Sequence, residues 1–200
     1  MSSRTDLITT LTAALAKEAA PSSDFDLNPE VVLPEGRKLR PAAVLLAFEA
    51  SPSGARLWLT KRSSALKHHP GQIAAPGGKQ DETDADLVAT ALREAHEEIG
   101  LPRDSVEVLG ALPPHETVTG FTMTPIIGVL RSGFTPVPEL GEVAEVFHVP
   151  MKHVTNSENF MVHGRRWRGS RRYYFAVPYG PYYIWGATAR VLRGLAERFT

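Results

Sequence analysis

Between Thr5 and Ala19 the apolar residues recur at helical spacing, with Leu7, Leu11 and Leu15 falling on one side, which predicts an amphipathic helix. Pro21 to Arg40 breaks that pattern with proline, serine and acids and predicts an extended connection. Two apolar runs follow, PAAVLLAFE from Pro41 to Glu49 and ARLWLT from Ala55 to Thr60, around the turn residues Ser51 to Gly54. They predict a hairpin of strands. From Ser64 to Lys79 the residues Pro70, Gly71, Pro76, Gly77 and Gly78 interrupt any regular element. A second helical pattern then runs from about Asp84 to Ile99, with Gly100 as its stop. Further strands are predicted at Ser105 to Leu112, Thr124 to Leu130, Ala144 to Val149 and Tyr173 to Val177. Trp185, Thr188, Leu192, Leu195 and Phe199 mark a last helix with an apolar, core-facing side. Strands interspersed with a few helices predict an α/β class, with a mixed (α+β) sheet sandwiched between helices. Residues 1–40 read as an N-terminal helix and connection, and residues 41–200 as the main domain. The chain shows no internal repeat and no low-complexity tract.

The second helix carries an unusual polar pattern, ALREAHEEIGL from Ala91 to Leu101. At about 100° per residue, Val88, Leu92, Ala95 and Ile99 form a seam fit for burial, and Glu94, Glu97 and Glu98 occupy an adjoining sector about 100° wide. Like charges at i and i+4, here Glu94 and Glu98, cost a helix about 0.2–0.5 kcal/mol. The macrodipole also disfavours anions in this C-terminal half. A solvated acidic face is one resolution. A hard divalent cation is the other, since it takes carboxylate oxygens as ligands and removes the repulsion.

Composition narrows the function classes. Two hundred residues suffice for one domain with a substantial core. Lys plus Arg and Asp plus Glu number 22 each, so no overall field favours nucleic acid or an anionic membrane surface, and recognition falls to a local site. Cysteine is absent, which removes disulfides, thiolate nucleophiles and Cys-type zinc sites. The N-terminal stretch lacks the long apolar core of a signal peptide, and no run of eighteen apolar residues occurs. These features fit a cytoplasmic enzyme acting on a small molecule, with no nucleic acid and no membrane as partner.

The stretch Gly78 to Leu101, GKQDETDADLVATALREAHEEIGL, resembles the Nudix box, the loop, helix and loop motif of hydrolases that cut nucleoside diphosphates linked to another group. Arg93, Glu94, Glu97, Glu98, Gly100 and Leu101 match its second half, with the small Ala95 at an aliphatic position. The first half departs: Asp84 stands where the box has a glutamate, and eight residues rather than seven separate it from Arg93, which leaves Asp84, Asp86 or neither in the role of the first acid. Upstream, LTKRSSALKHHPGQIAAPGG from Leu59 to Gly78 is similar to the motif that precedes the box in coenzyme A-type Nudix hydrolases. Its spacing is kept, with Trp58 for a Leu, Lys67 for an Arg and Ala75 for a Phe. YYFAVPYGPYYIWGATARVL from Tyr173 to Leu192 looks like the C-terminal signature of the same branch.

The resemblance implies an α/β/α sandwich and a metal-dependent diphosphatase using Mg2+ or Mn2+. Glu94 and Glu98 are the first choice for ligands, with Glu97 a third ligand or a partner to metal-bound water, and Arg93 is implied to orient a glutamate through an ion pair. Gly77 and Gly78 would let the backbone run close to the site. Arg62 and Lys67 are candidates for the substrate phosphates, and one of Glu116, Glu142 and Glu145 could supply a further ligand or base. His68 and His69 lack metal-ligand spacing and read as loop residues. The run HGRRWRGSRRYYF from His163 to Phe175 reads as a solvated hairpin with room for a contact to a substrate phosphate. The substrate implied is coenzyme A or a derivative, cut to 4'-phosphopantetheine, or its acyl form, and adenosine 3',5'-bisphosphate. Another nucleoside diphosphate such as ADP-ribose or a dinucleotide is the alternative, and a non-catalytic nucleotide-binding module the remaining one.

Overall fold

Residues 40–49 organise the sheet because their side chains alternate between two cores. Ala43, Leu45 and Ala47 enter one, whereas Leu46 and Phe48 enter the other. A strand buried on both faces must be apolar almost throughout, and this one is. The computed structural model describes residues 3–167 and 169–200. In chain order the elements are α1 (Arg4–Leu15), β1 (Ser22–Ser23), β2 (Arg40–Glu49), β3 (Arg56–Arg62), β4 (Ile73–Ala74) and β5 (Gly77–Lys79). They continue with α2 (Leu87–Ile99), β6 (Val106–Ala111), β7 (His115–Glu116), β8 (Phe121–Leu130) and β9 (Val143–Pro150). The chain ends with α3 (Met151–Val154), β10 (Met161–Trp167), β11 (Ser170–Ala176) and α4 (Ala187–Ala196). Arg168, in the basic run, lies outside the described residues.

β2 runs parallel to β8, from Arg40 opposite Phe121 to Phe48 opposite Val129. Its other edge is shared: β5 pairs with its first half and β3 with its end. β3 carries β9 along its length and β4 near its end, and β8 carries β6 and β7. Helix α2 packs on β2 and β5 on one face, while α1 and α4 contribute Leu7, Leu11, Leu192 and Leu195 to the core on the opposite face. The result is the predicted sheet between helices. β10 and β11 form a separate antiparallel hairpin. The buried Asn28 amide ties it to the N-terminal connection by donating to the Tyr173 carbonyl at 2.9 Å and accepting the Tyr173 N–H at 2.8 Å.

The differences from the sequence reading have local causes. The first helix stops at Leu15, where the buried Arg198 guanidinium donates to the carbonyls of Ala14 at 3.0 Å and Lys17 and so caps it from the far end of the chain. The segment Ser64 to Lys79 is not wholly irregular, since β4 and β5 lie within it. β5 can approach β2 because residue 77 is glycine: a Cβ there would sit 2.3 Å from the Ala43 carbonyl oxygen. In α2 the buried stripe is Thr90, Ala91, Ala95, Glu98 and Ile99, with Val88 and Leu92 only partly covered. The helix is therefore rotated toward its acids, and its small residues Ala91 and Ala95 meet the small residues Ala43 and Ala47 of β2. Trp185 is outside the last helix, because Gly186 takes a left-handed φ of 66° and the helix begins after it.

Leu11 is fully buried between α1 and the sheet. Leu11→Ala is expected to cost about 2–5 kcal/mol through lost transfer energy and a residual cavity. The change should appear in urea unfolding as a lower midpoint with an unchanged slope. An unchanged midpoint would contradict the packing of α1.

Candidate active site

The C-terminal half of α2 presents its three glutamates to three different environments. Glu98 retains 5% side-chain exposure, Glu94 17% and Glu97 55%. The gradient follows from helix geometry. Glu98 lies toward the buried stripe, Glu97 toward solvent, and Glu94 sits one turn before Glu98 on the same side.

Arg93 ties this helix to the loop before it. Its Nε and Nη2 donate to the two carboxylate oxygens of Asp84, each at 2.9 Å, a fork-to-fork pair. Its Nη1 donates to Glu94 at 3.0 Å and to Glu97 at 2.9 Å, and Nη2 also reaches the Lys79 carbonyl at 3.2 Å. Asp84 further accepts from the Thr90 hydroxyl and the Asp81 N–H, both at 3.0 Å. These donors, Arg93 first, hold its carboxyl well below the ordinary carboxylate range. Asp86 is committed elsewhere, as the N-cap of α2, accepting from the Ala89 N–H at 2.7 Å. The structure thus distinguishes the two aspartates: Asp84 binds the arginine and Asp86 starts the helix.

Glu98 is the least compensated charge. It accepts the Gly77 N–H at 3.2 Å, and the Arg62 guanidinium stands 3.8 Å away, close enough for Coulomb attraction but too far for a hydrogen bond. Burial is the main cause that pushes its carboxyl up to about 8, opposed by the Gly77 N–H and Arg62 and reinforced by Glu94 and Glu142. Glu94 is also raised, first by burial, against the pull of Arg93 and with the push of Glu97 and Glu142. A buried carboxylate so placed is satisfied by a proton or by a cation.

β5 supplies the wall of this site. A Cβ at Gly78 would lie 2.5 Å from Glu94 Oε1, so glycine leaves the space that the carboxylate occupies. The donor set fits a hard divalent ion, being oxygen only in a chain without cysteine. Glu94 and Glu98 are the two buried carboxylates, one turn apart on one side of the helix, whereas Glu97 is mostly exposed; Arg93 bonds both Glu94 and Glu97. Among the described residues no three His, Asp or Glu side chains are gathered as a finished cage.

Of the three later glutamates, Glu116 pairs with Arg37 at 2.8 Å and Glu145 accepts from the Tyr182 hydroxyl. Glu142 is the one whose charge is felt at both Glu94 and Glu98. No signal in the local sequence separates it from the others, because the loop that carries it is placed by backbone bonds: Glu139 N–H to the Glu98 carbonyl at 2.9 Å, and Ser63 N–H to the Glu142 carbonyl at 2.8 Å. Lys67 is exposed on the loop between β3 and β4, as are His68 and His69. A concavity of about 610 Å3 lined by Leu15, Ala111, Leu112 and Arg198 lies by α1, on the face of the sheet away from these carboxylates.

The family model described as the NUDIX domain matches residues 38–167. The chain is 41% identical over 157 residues to an uncharacterized Nudix hydrolase, NudL, of Enterobacter sp. (strain 638), covering 78% of this chain and 81% of that protein. It is 40% identical over 176 residues to the NudL of Citrobacter koseri, covering 87% and 90%. Among solved structures, the NUDIX domain of Shewanella oneidensis NrtR complexed with ADP ribose superposes with a TM-score of 0.52 at 17% identity, over 88% of this chain and 95% of that one. That likeness concerns the fold.

The Asp84–Arg93 pair has a pH signature. A carboxyl depressed in the folded state contributes stability that is complete above its ordinary value of 3.8 and is lost as pH falls from there through the folded value. Asp84→Asn is therefore expected to lower stability by a constant amount between pH 7 and 5, with the gap closing below about pH 4. Denaturant titrations of both proteins across that range check it; a gap that widens in acid would refute the pairing.

Proposed function

The chain belongs to the Nudix family of hydrolases, and on that premise we propose that it cuts the diphosphate of coenzyme A or its derivatives, with Mg2+ or Mn2+, to 4'-phosphopantetheine, or its acyl form, and adenosine 3',5'-bisphosphate. The observation that carries the reading is the juxtaposition of two under-compensated carboxylates, Glu94 and Glu98, with the glycine wall of β5 and with Arg62 at the end of the basic loop. The resemblance of Leu59 to Gly78 to the coenzyme A-type motif supports the choice of substrate.

Glu94 and Glu98 would hold the ion. When bound, such an ion neutralises diphosphate charge and activates a water for attack on phosphorus. Arg93 keeps Glu94 and Glu97 oriented and joins the helix to Asp84, so the carboxylates need not reorganise during reaction. Glu142, whose charge is felt at both Glu94 and Glu98, would serve as the base that takes the proton of the attacking water. Arg62, whose guanidinium stands 3.8 Å from Glu98, would donate to a diphosphate oxygen. Gly77 and Gly78 bring backbone N–H groups alongside without side-chain obstruction. Lys67, exposed on the loop after β3, is a second candidate to meet the diphosphate.

Glu94→Gln and Glu98→Gln are each expected to lower turnover by orders of magnitude while the fold persists, because neither carboxylate is a net stabiliser where its neighbours repel it. Millimolar Mg2+ or Mn2+ should raise the melting temperature of the unmutated protein and not that of Glu98→Gln. Full turnover in both variants, or no thermal response to either ion, would remove the assignment.

Substrate choice is tested separately. Coenzyme A carries a 3'-phosphate that dephospho-coenzyme A lacks, and a charge-assisted hydrogen bond to it is worth about 1.5–3 kcal/mol, which predicts roughly a ten- to hundredfold advantage in kcat/KM. Arg62→Ala should slow both substrates alike, as loss of a diphosphate contact does. Equal efficiencies in the unmutated enzyme, or a preference for ADP-ribose, would replace the substrate and leave the hydrolase chemistry in place.

A further inference from the structure

The hairpin β10–β11 and the segment after it carry chemistry that the acidic centre does not use. Across the hairpin, Arg165 stands opposite Arg172 and Arg166 opposite Arg171. Like charges directly opposite cost a sheet stability, and among the described residues no carboxylate pairs with Arg166, Arg171 or Arg172. By the reasoning that proposes Glu94 and Glu98 as ligands of a cation, this concentration of like charge is a place for an anion.

Opposed residues project to one face, so Arg165 and Arg172 share a face with the pair His163 and Tyr174. Tyr183 and Trp185 extend it, since Trp185 bridges to Ala176 at the end of β11. The His163 ring stacks on Tyr183 at 5.9 Å, and its Nδ1 lies 2.6 Å from the Tyr183 hydroxyl. Trp185 is 5.0 Å from Tyr174 and 6.5 Å from Tyr183, within 28° of parallel to the latter. The Arg165 guanidinium lies over the Trp185 ring at 5.3 Å. These rings are not core: Tyr183 is 39% exposed, and Tyr174, Trp185 and His163 are half-buried.

The face also adjoins the proposed diphosphate site. Tyr182 stacks on Phe147 at 3.6 Å and donates to Glu145, which stands opposite Lys61, the neighbour of Arg62. A Cβ on Gly186, next to Trp185, would lie 3.7 Å from the Gln72 amide nitrogen, and the Gln72 carbonyl accepts the Arg62 N–H at 2.9 Å. Thr188 donates to the Ile73 carbonyl at 3.3 Å. The aromatic segment is thus packed on the stretch that follows Arg62 at the end of β3, and the Asn28 amide ties the hairpin to the N-terminal connection.

We propose that His163, Arg165, Arg172, Tyr183 and Trp185 form a subsite for the nucleoside end of the substrate, with the base lying against Tyr183 and Trp185 and a ribose phosphate against the arginines. Aromatic faces stack bases of any kind, and arginine supplies both the fork for a phosphate and a cation over the ring. The patch is a few rings wide on a chain of zero net charge, which suits one nucleotide and not a nucleic-acid strand. The inference rests on the reading of the protein as a hydrolase of an adenosine diphosphate derivative.

Equilibrium binding of adenosine 3',5'-bisphosphate to the full chain without added metal tests it apart from turnover. Trp185→Ala and Tyr183→Ala are each expected to weaken that binding by about five- to a hundredfold, with Trp185→Phe restoring most of it. The double variant Arg165→Ala/Arg172→Ala should bring the bisphosphate down to the affinity of adenosine 5'-monophosphate. Tyr183 is exposed enough that its variant folds even where Trp185→Ala does not. Unchanged affinity in Tyr183→Ala and Trp185→Phe alike with inorganic phosphate competing as well as the nucleotide, or a single-stranded RNA oligonucleotide bound more tightly than the bisphosphate, would overturn the subsite. If coenzyme A is not hydrolysed but bisphosphate binding still depends on Tyr183 and Trp185, the substrate reading fails and the subsite stands. If coenzyme A is hydrolysed with the same KM by Tyr183→Ala and Trp185→Ala, the subsite fails and the substrate reading stands.

Discussion

One guanidinium organises the acidic end of the molecule. Arg93 bonds Asp84 through two nitrogens and reaches Glu94, Glu97 and the Lys79 carbonyl with the same planar group. Without it, Asp84 would keep the Thr90 hydroxyl and the Asp81 N–H but lose its cation, and Glu94 and Glu97 would lose the donor they share. A lysine could not replace it, because a point charge cannot make the forked bond to Asp84 and the lateral bonds to Glu94 and Glu97 at once.

The rest of the fold serves to bring backbone close to that helix. β2 is apolar on both sides, so helices cover the sheet on both faces and α2 lies directly on Ala43 and Ala47. β5 then enters beside β2 at glycines, with Gly77 against the Ala43 carbonyl and Gly78 against the Glu94 carboxylate. Burial by these neighbours gives Glu98 its raised pKa, and the same burial is the reason a hard cation is attractive there. Stability and the proposed chemistry are in tension at this point: the repulsion that makes the acids poor stabilisers is what a bound cation would relieve.

A second arrangement of like charges, the arginine pairs of the hairpin, lies beyond the loop that carries Arg62. Acidic and basic groups are thus segregated into two local fields on a chain whose total charge is zero. The proposed substrate, with a diphosphate in its middle and a phosphorylated nucleoside at one end, would meet the first field through a bound cation and the second directly.

Much of this was legible without coordinates. The apolar run in Pro41 to Glu49, the turn at Ser51 to Gly54 and the helix stop at Gly100 are local signals, and the elements they mark lie within a few residues of their expected places, because apolar runs and left-handed glycine conformations are properties of neighbours in the chain. The spacing of Arg93, Glu94, Glu97 and Glu98 likewise placed the acids on one helix side. The choices left to tertiary structure were those between chemically similar residues: Asp84 over Asp86 for the arginine, Glu142 over Glu116 and Glu145 near the carboxylates, and the half-exposed position of Trp185 outside its helix. Each depends on a contact from an element distant in sequence, on the path of a loop, or on which of two equal acids is already engaged. A pattern along the chain records residue type and spacing, whereas burial and pairing are properties of the neighbours that folding brings up, and those neighbours alone decided them.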